Sequence, residues 1–121
     1  MDVKSIANRL VELCRKGQNM EALEELYADN IVSIEPKGAH NERVEGKDNV
    51  REKSKKWYDM VEEIHGGVIS NPVISSDHFS CSMEMDVTFK GEGRVKFDEI
   101  AVYKVANGKI VQEEFFYSTQ Q

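Results

Sequence analysis

The chain has 121 residues, 40% of them hydrophobic, which suits one domain spanning residues 1–121 and argues against disorder. Asp plus Glu number 22 against 16 Lys plus Arg, a net charge of −6. Such a surface repels phosphate backbones and anionic lipid heads, so neither nucleic acid nor membrane is expected as a partner.

Val3, Ile6, Ala7, Leu10, Leu13 and Cys14 recur at helical spacing and define a first helix. Gly17 ends it, since the left-handed cap is hard for a residue with a Cβ. Met20, Leu23, Leu26 and Tyr27 mark a short second helix, and β-branched Ile31-Val32-Ser33-Ile34 a strand. Residues 37–46 read as a polar loop. Val50, Ser54, Trp57, Val61 and Ile64, at steps of four, three, four and three, predict a third helix that Gly66-Gly67 terminates. The basic cluster Arg51, Lys53, Lys55, Lys56 reads as its solvated face. No targeting segment or membrane span is recognisable, so a cytoplasmic location is expected.

The remainder reads as strand. Val68 to Ile74 bends at Asn71-Pro72. Residues 79–89 alternate apolar and polar positions in strict period two, a half-buried strand. Gly91-Glu92-Gly93 and Ala106-Asn107-Gly108 are turns between strands 94–105 and 109–118. A three-residue loop ending in a glycine bulge pairs Tyr103 with Val111, Ala101 with Glu113 and Glu99 with Phe115. Pairing Phe89 with Val95 sets Met85 opposite Glu99. In this register Glu99 and Glu113 are diagonal neighbours on an otherwise apolar concave face, with Cβ atoms roughly 7 Å apart. Ile100, Val102, Ile110 and Phe116 form a second, outer apolar face. It needs its own cover, so a homodimer is expected.

Several local strings match a known family. They are Leu26-Tyr27-Ala28-Asp29-Asn30, Glu35-Pro36, Glu45-Gly46, and Val102-Tyr103-Lys104-Val105-Ala106-Asn107-Gly108-Lys109-Ile110. Together with the element order, they make the chain resemble the nuclear-transport-factor-2-like superfamily, in particular its SnoaL-like and ketosteroid-isomerase-like branch. The resemblance implies an α+β fold: a conical barrel, with a curved antiparallel sheet wrapped around three helices of the N-terminal half. It also implies a pocket in the cone's mouth and a dimer on the outer sheet face.

The isomerases of that branch carry a proton-shuttling carboxylate directly before a proline, which corresponds to Glu35. Their protonated carboxylic acid, an oxyanion donor, corresponds to Glu99. Their tyrosine in the first helix falls at Leu10 or Val11 and is missing. A leucine cannot donate a hydrogen bond, so Tyr103 or Tyr117 is the conjectured substitute. SnoaL-like cyclases and limonene-epoxide-hydrolase-like enzymes place an aspartate where this chain has Phe115, and the hydrolase arginine falls at Glu114. Neither chemistry is therefore expected.

The expected function is cofactor-free acid–base chemistry on a small apolar carbonyl or ring compound, with Glu35 and Glu99 catalytic. Trp57, Met83, Met85, Tyr103, Glu113, Phe115 and Tyr117 are expected to line the pocket. The alternative is a non-catalytic module that binds a ligand or a partner protein through the same cone. Cys14 and Cys81 read as inert core thiols. His40, His65 and His78 lack ligand spacing, so no metal is expected.

Overall fold

The computed structural model describes residues 1–119. Helix α1 (Val3–Arg15) begins where the Asp2 side chain accepts a hydrogen bond from the Ser5 backbone N–H at 2.8 Å. It buries Ile6, Ala7, Leu10, Val11 and Leu13, and Gly17 (φ +73°) turns the chain at its end. Helix α2 (Asn19–Leu26) buries Ala22, Leu23 and Leu26. The carbonyls at a helix end have no intrahelical partner. Here two lysines supply one: Lys47 Nζ donates to the Glu24 carbonyl at 3.0 Å and Lys109 Nζ to the Glu25 carbonyl at 2.8 Å.

Strands β1 (Tyr27–Ile34) and β2 (Arg43–Glu45) precede helix α3 (Lys47–Met60). Strands β3 (Val61–Ile69), β4 (Val73–Ile74), β5 (His78–Phe89), β6 (Gly93–Ala106) and β7 (Lys109–Phe116) follow it. They form one seven-stranded sheet in the order β2-β1-β7-β6-β5-β3, with β4 also on β5. The expected α+β architecture, three helices and a curved sheet, is present. The sheet is open and mixed, however, not a closed and wholly antiparallel cone. β1 runs parallel to β7. No hairpin links these two strands, so nothing forces them to run in opposite directions.

Three other expectations need correction. Val61 and Ile64 do not extend α3: the helix stops at Met60, and both residues pair with β5, opposite Phe89 and Val87. The long ladder to β5 decides the conformation of two β-branched residues whose spacing fits a helix only by coincidence. Gly66-Gly67 lies inside β3, and Gly67 leaves room for the Glu84 carbonyl, which a Cβ there would meet at 2.9 Å. Residues 37–46 are not all loop, because Arg43–Glu45 pairs with Ile34–Val32. Tyr27 opens β1 and does not close α2.

Both long hairpins keep the expected faces but shift in register. The β5–β6 ladder pairs Phe89 with Gly93, Met85 with Phe97, Met83 with Glu99 and Phe79 with Tyr103. This displacement of two residues preserves every inward side chain. In β6–β7 the loop is only Asn107-Gly108, both residues in the left-handed region (φ +52° and +76°), between paired Ala106 and Lys109. Asn-Gly is the natural pair for such a tight turn. It places Ile110 opposite Val105, inside the core at 0% exposure, so Ile110 does not belong to the outer face. A bulge next to Val111 restores the parity, and Tyr103 then faces Glu113 and Ala101 faces Phe115.

The core joins α1 and α2 to Ile31, Val50, Phe79, Cys81, Ala101, Tyr103, Val105 and Ile110. Cys14 and Cys81 are free thiols, pushed up to about 12 and about 11 by burial. Ile110→Ala should cost about 2–5 kcal/mol in a denaturant titration, the range for an emptied core site. A residue on the outer face would lose less than about 1 kcal/mol.

Candidate functional site

The inner face of the sheet gathers a line of polar side chains between β1, β7 and α3. In β1, Ile31 and Ser33 are buried and alternate with outward residues, and Glu35 continues the series with a side chain only 13% exposed. Parallel pairing sets Ser33 beside Glu113. Glu113 is 5% exposed. Its carboxylate accepts from the Ser33 hydroxyl at 2.6 Å and from the Tyr27 hydroxyl. Burial pushes the Glu113 carboxyl upward, while the Ser33 and Tyr27 bonds and the charge of Lys53 pull it back.

Lys53 comes down from α3 onto this line. Its Nζ donates to Ser33 Oγ at 2.8 Å and to Glu35 Oε2 at 3.0 Å, and lies 5.5 Å from the centre of the Phe115 ring. The Tyr117 hydroxyl donates to the other oxygen of Glu35 at 2.6 Å. A continuous path of hydrogen bonds therefore runs from Tyr27 through Glu113, Ser33, Lys53 and Glu35 to Tyr117.

Glu99 stands beside this path without joining it. It occupies the inner face of β6, opposite Met83, next to the Ala101–Phe115 pair. Its carboxyl makes no hydrogen bond or ion pair among the described residues. Burial, then the charges of Glu35 and Glu113, push it up to about 7, against a small opposing effect of Lys53. It therefore keeps its proton in mildly acidic solution, as befits a half-buried carboxyl without a partner.

Glu35, Glu99, Glu113, Phe115 and Tyr117 are thus brought together. Glu99 and Glu113 both face inward as expected. They are not diagonal neighbours, because the tight turn and the bulge together move Glu113 two residues along β6, from Ala101 to Tyr103. Met83 and Met85 are half-buried on the same face, opposite Glu99 and Phe97. Tyr103 lies deeper, 2% exposed and stacked on Phe79 with ring centroids 4.7 Å apart. Trp57 sits one turn beyond Lys53, edge-on to Tyr58 and to Phe89 at 5.1 and 5.9 Å. Leu10 and Val11, either of which is where the isomerase resemblance calls for a tyrosine, are ordinary core residues at 1% and 2% exposure.

The sequence reading missed Tyr27, Ser33 and Lys53. Residue type places Lys53 in a solvated basic cluster, in which Arg51 and Lys55 make surface ion pairs, Arg51 with Glu24 and Asp48, and Lys55 with Glu52. Yet Lys53 is three residues after Val50 and four before Trp57, which places it on the apolar stripe. Ser33 likewise falls in phase with Ile31. A polar residue in the buried phase was the available signal. Among the described residues no group of three or more histidines, cysteines and carboxylates is arranged to hold a metal ion, and no helix is long and apolar enough to cross a membrane.

Comparison with known proteins bears on the family and the fold. No curated protein is significantly similar to the chain. A candidate SnoaL-like polyketide cyclase from Mesorhizobium loti is 38% identical, with a TM-score of 0.91 over 97% of this chain and 100% of that one. At 14% identity, a nuclear-transport-factor-2-like protein of unknown function from Burkholderia pseudomallei K96243 superimposes with a TM-score of 0.78 over 98% and 93% of the two chains. A protein with a ketosteroid-isomerase-like fold from Catenulispora acidiphila DSM 44928, in complex with trimethylamine, does so with a TM-score of 0.74 at 16% identity, over 94% and 85%. These last two likenesses concern the fold alone. The model of the SnoaL-like domain matches residues 1–117, essentially the whole fold just described, and the chain belongs to that family.

Proposed function

We propose that the protein binds a small, largely apolar carbonyl or ring compound against the inner face of its sheet. There it performs cofactor-free acid–base chemistry, with Glu35 as base and Glu99 as acid or hydrogen-bond donor. The observation that carries this reading is Glu99, an inward carboxyl with no partner beside a salt-bridged one. Two carboxyls in contrasting environments divide the acid and base roles. Met83, Met85, Phe115 and Tyr117 supply the apolar and aromatic wall around them. The alternative, a binding module without catalysis, is favoured by Leu10 in place of a donor. Deuterium exchange from solvent into the carbon next to the carbonyl of a panel of cyclic ketones separates the two. The acid–base reading expects exchange, slowed roughly 10²- to 10⁴-fold by Glu35→Gln. Exchange no faster with the wild-type protein than with the variant would leave the binding module.

The titration of Glu99 has a consequence for stability. Its folded value of about 7 lies above its ordinary value of 4.5, so the native state binds more protons than the unfolded state between those limits. The penalty is absent below the lower limit, grows as pH rises through the window, and levels off above 7. Glu35 and Glu113 act in the same direction on Glu99, and Lys53 against it. Glu99→Gln cannot ionise. Its gain in stability over the wild type should grow by roughly 3 kcal/mol from pH 4 to pH 8. A gain that stays flat across that range would mean the carboxyl is solvated.

We further propose that a second copy of the chain covers the outer face. Ile100 and Phe116 are cross-strand partners there, 51% and 49% exposed, with Val102 alongside. Sedimentation at tens of micromolar should show a dimer that Phe116→Glu converts to monomer, whereas a wild-type monomer would count against the pairing.

A further inference from the structure

Acid–base chemistry next to a carbonyl needs a donor for the oxygen on which charge develops. If Glu35 takes the proton from the neighbouring carbon, the C–H electron pair becomes a C=C bond and the carbonyl π pair moves onto oxygen. Reprotonation of carbon reverses both shifts. Three hydroxyls of the site are already committed. Tyr27 and Ser33 donate to Glu113, and Tyr117 donates to Glu35. Tyr103 is stacked on Phe79 in the core at 2% exposure.

Lys53 is different. An ammonium group has three N–H donors, and among the described residues only two are used, toward Ser33 and Glu35. The side chain keeps 19% of its surface accessible, so a ligand can reach it. The amine sits over Phe115, whose cross-strand partner Ala101 adjoins Glu99 on the inner face of β6. The remaining donor and the free carboxyl of Glu99 therefore border one spot.

We infer that Lys53 is the second oxyanion donor of the site, its unspent N–H acting with the Glu99 carboxyl in place of the absent helix tyrosine. The ligand class narrows accordingly to compounds that present an enolisable carbonyl, or an acidic hydroxyl of the phenol or enol type. Lys53 donates a hydrogen bond and keeps its proton, while Ser33, fixed by Glu113, positions the amine. This inference rests on the acid–base reading of the inner face.

The probe is 4-nitrophenol, which resembles an enol and reports its own ionisation by its visible absorption. Binding is measured below pH 7, where Glu99 keeps its proton. The wild-type protein should favour the phenolate over the phenol by about tenfold or more relative to free solution, the scale of one charge-assisted hydrogen bond. Lys53→Met should lose that preference and Lys53→Arg retain most of it, with thermal melting as the check on folding. Glu35→Gln should keep it, because the donor is intact although the base is gone; this separates Lys53 from its salt-bridge partner. Equal preference for the phenolate in Lys53→Met and wild type overturns the role of Lys53 while the acid–base reading stands. So does binding of the neutral phenol alone by the wild type. If the wild type binds no 4-nitrophenol and catalyses no exchange into ketones, both readings fall together.

Discussion

The arrangement of the whole inner face depends on one buried carboxylate. A carboxylate taken out of water without partners costs several kcal/mol or gives up its charge. Glu113 lies at the meeting point of β1 and β7, and β1 answers it with two hydroxyls, from Tyr27 and Ser33. Ser33 can serve Glu113 only because β1 runs parallel to β7 in the register that sets the two residues side by side. Ser33 in turn accepts from Lys53, which ties α3 down onto the sheet. One polar demand thus specifies a strand direction, a register and the seating of a helix, where apolar contacts alone would tolerate a slip.

The three inner carboxyls differ in how they are satisfied. Glu113 is enclosed and holds two hydroxyl donors. Glu35 also has two donors but retains some exposure, and one of them is a cation shared with Ser33. Glu99 has none. A fully partnered group holds the fold in place and has little capacity left for a ligand, whereas an unpartnered one weakens the fold and can bond to whatever enters. The departures from the isomerase pattern fit the same division: Leu10 adds to the core, and the donor capacity it lacks is found on α3.

Much of this could be read from the chain. Period two from Phe79 to Phe89 and the two glycine turns place the strands, and they turn Glu99 and Glu113 to the correct face. The register was less legible, because a shift by two leaves the alternation unchanged and only the turn geometry distinguishes the options. Val61 and Ile64 satisfied a helical period and a strand propensity together, and a partner some 25 residues away decided between them. Lys53 and Ser33 were hidden for another reason. The residue type of each argues for solvent, whereas the phase of its neighbours points it inward. The Ser33–Glu113 pairing joins residues 80 apart, and no local pattern announces a parallel contact at that distance.

The tight turn at Asn107-Gly108 and the bulge beside Val111 are two one-residue departures that cancel. The segment between Tyr103 and Glu113 therefore obeys an odd–even rule on its length. A single insertion or deletion there, unless matched by a second, would reverse every side chain beyond it. Glu114 and Phe116 would then turn into the interior, and Glu113, Phe115 and Tyr117 out to solvent. Length change in this hairpin is tolerated only in steps of two, or where the turn and the bulge change together.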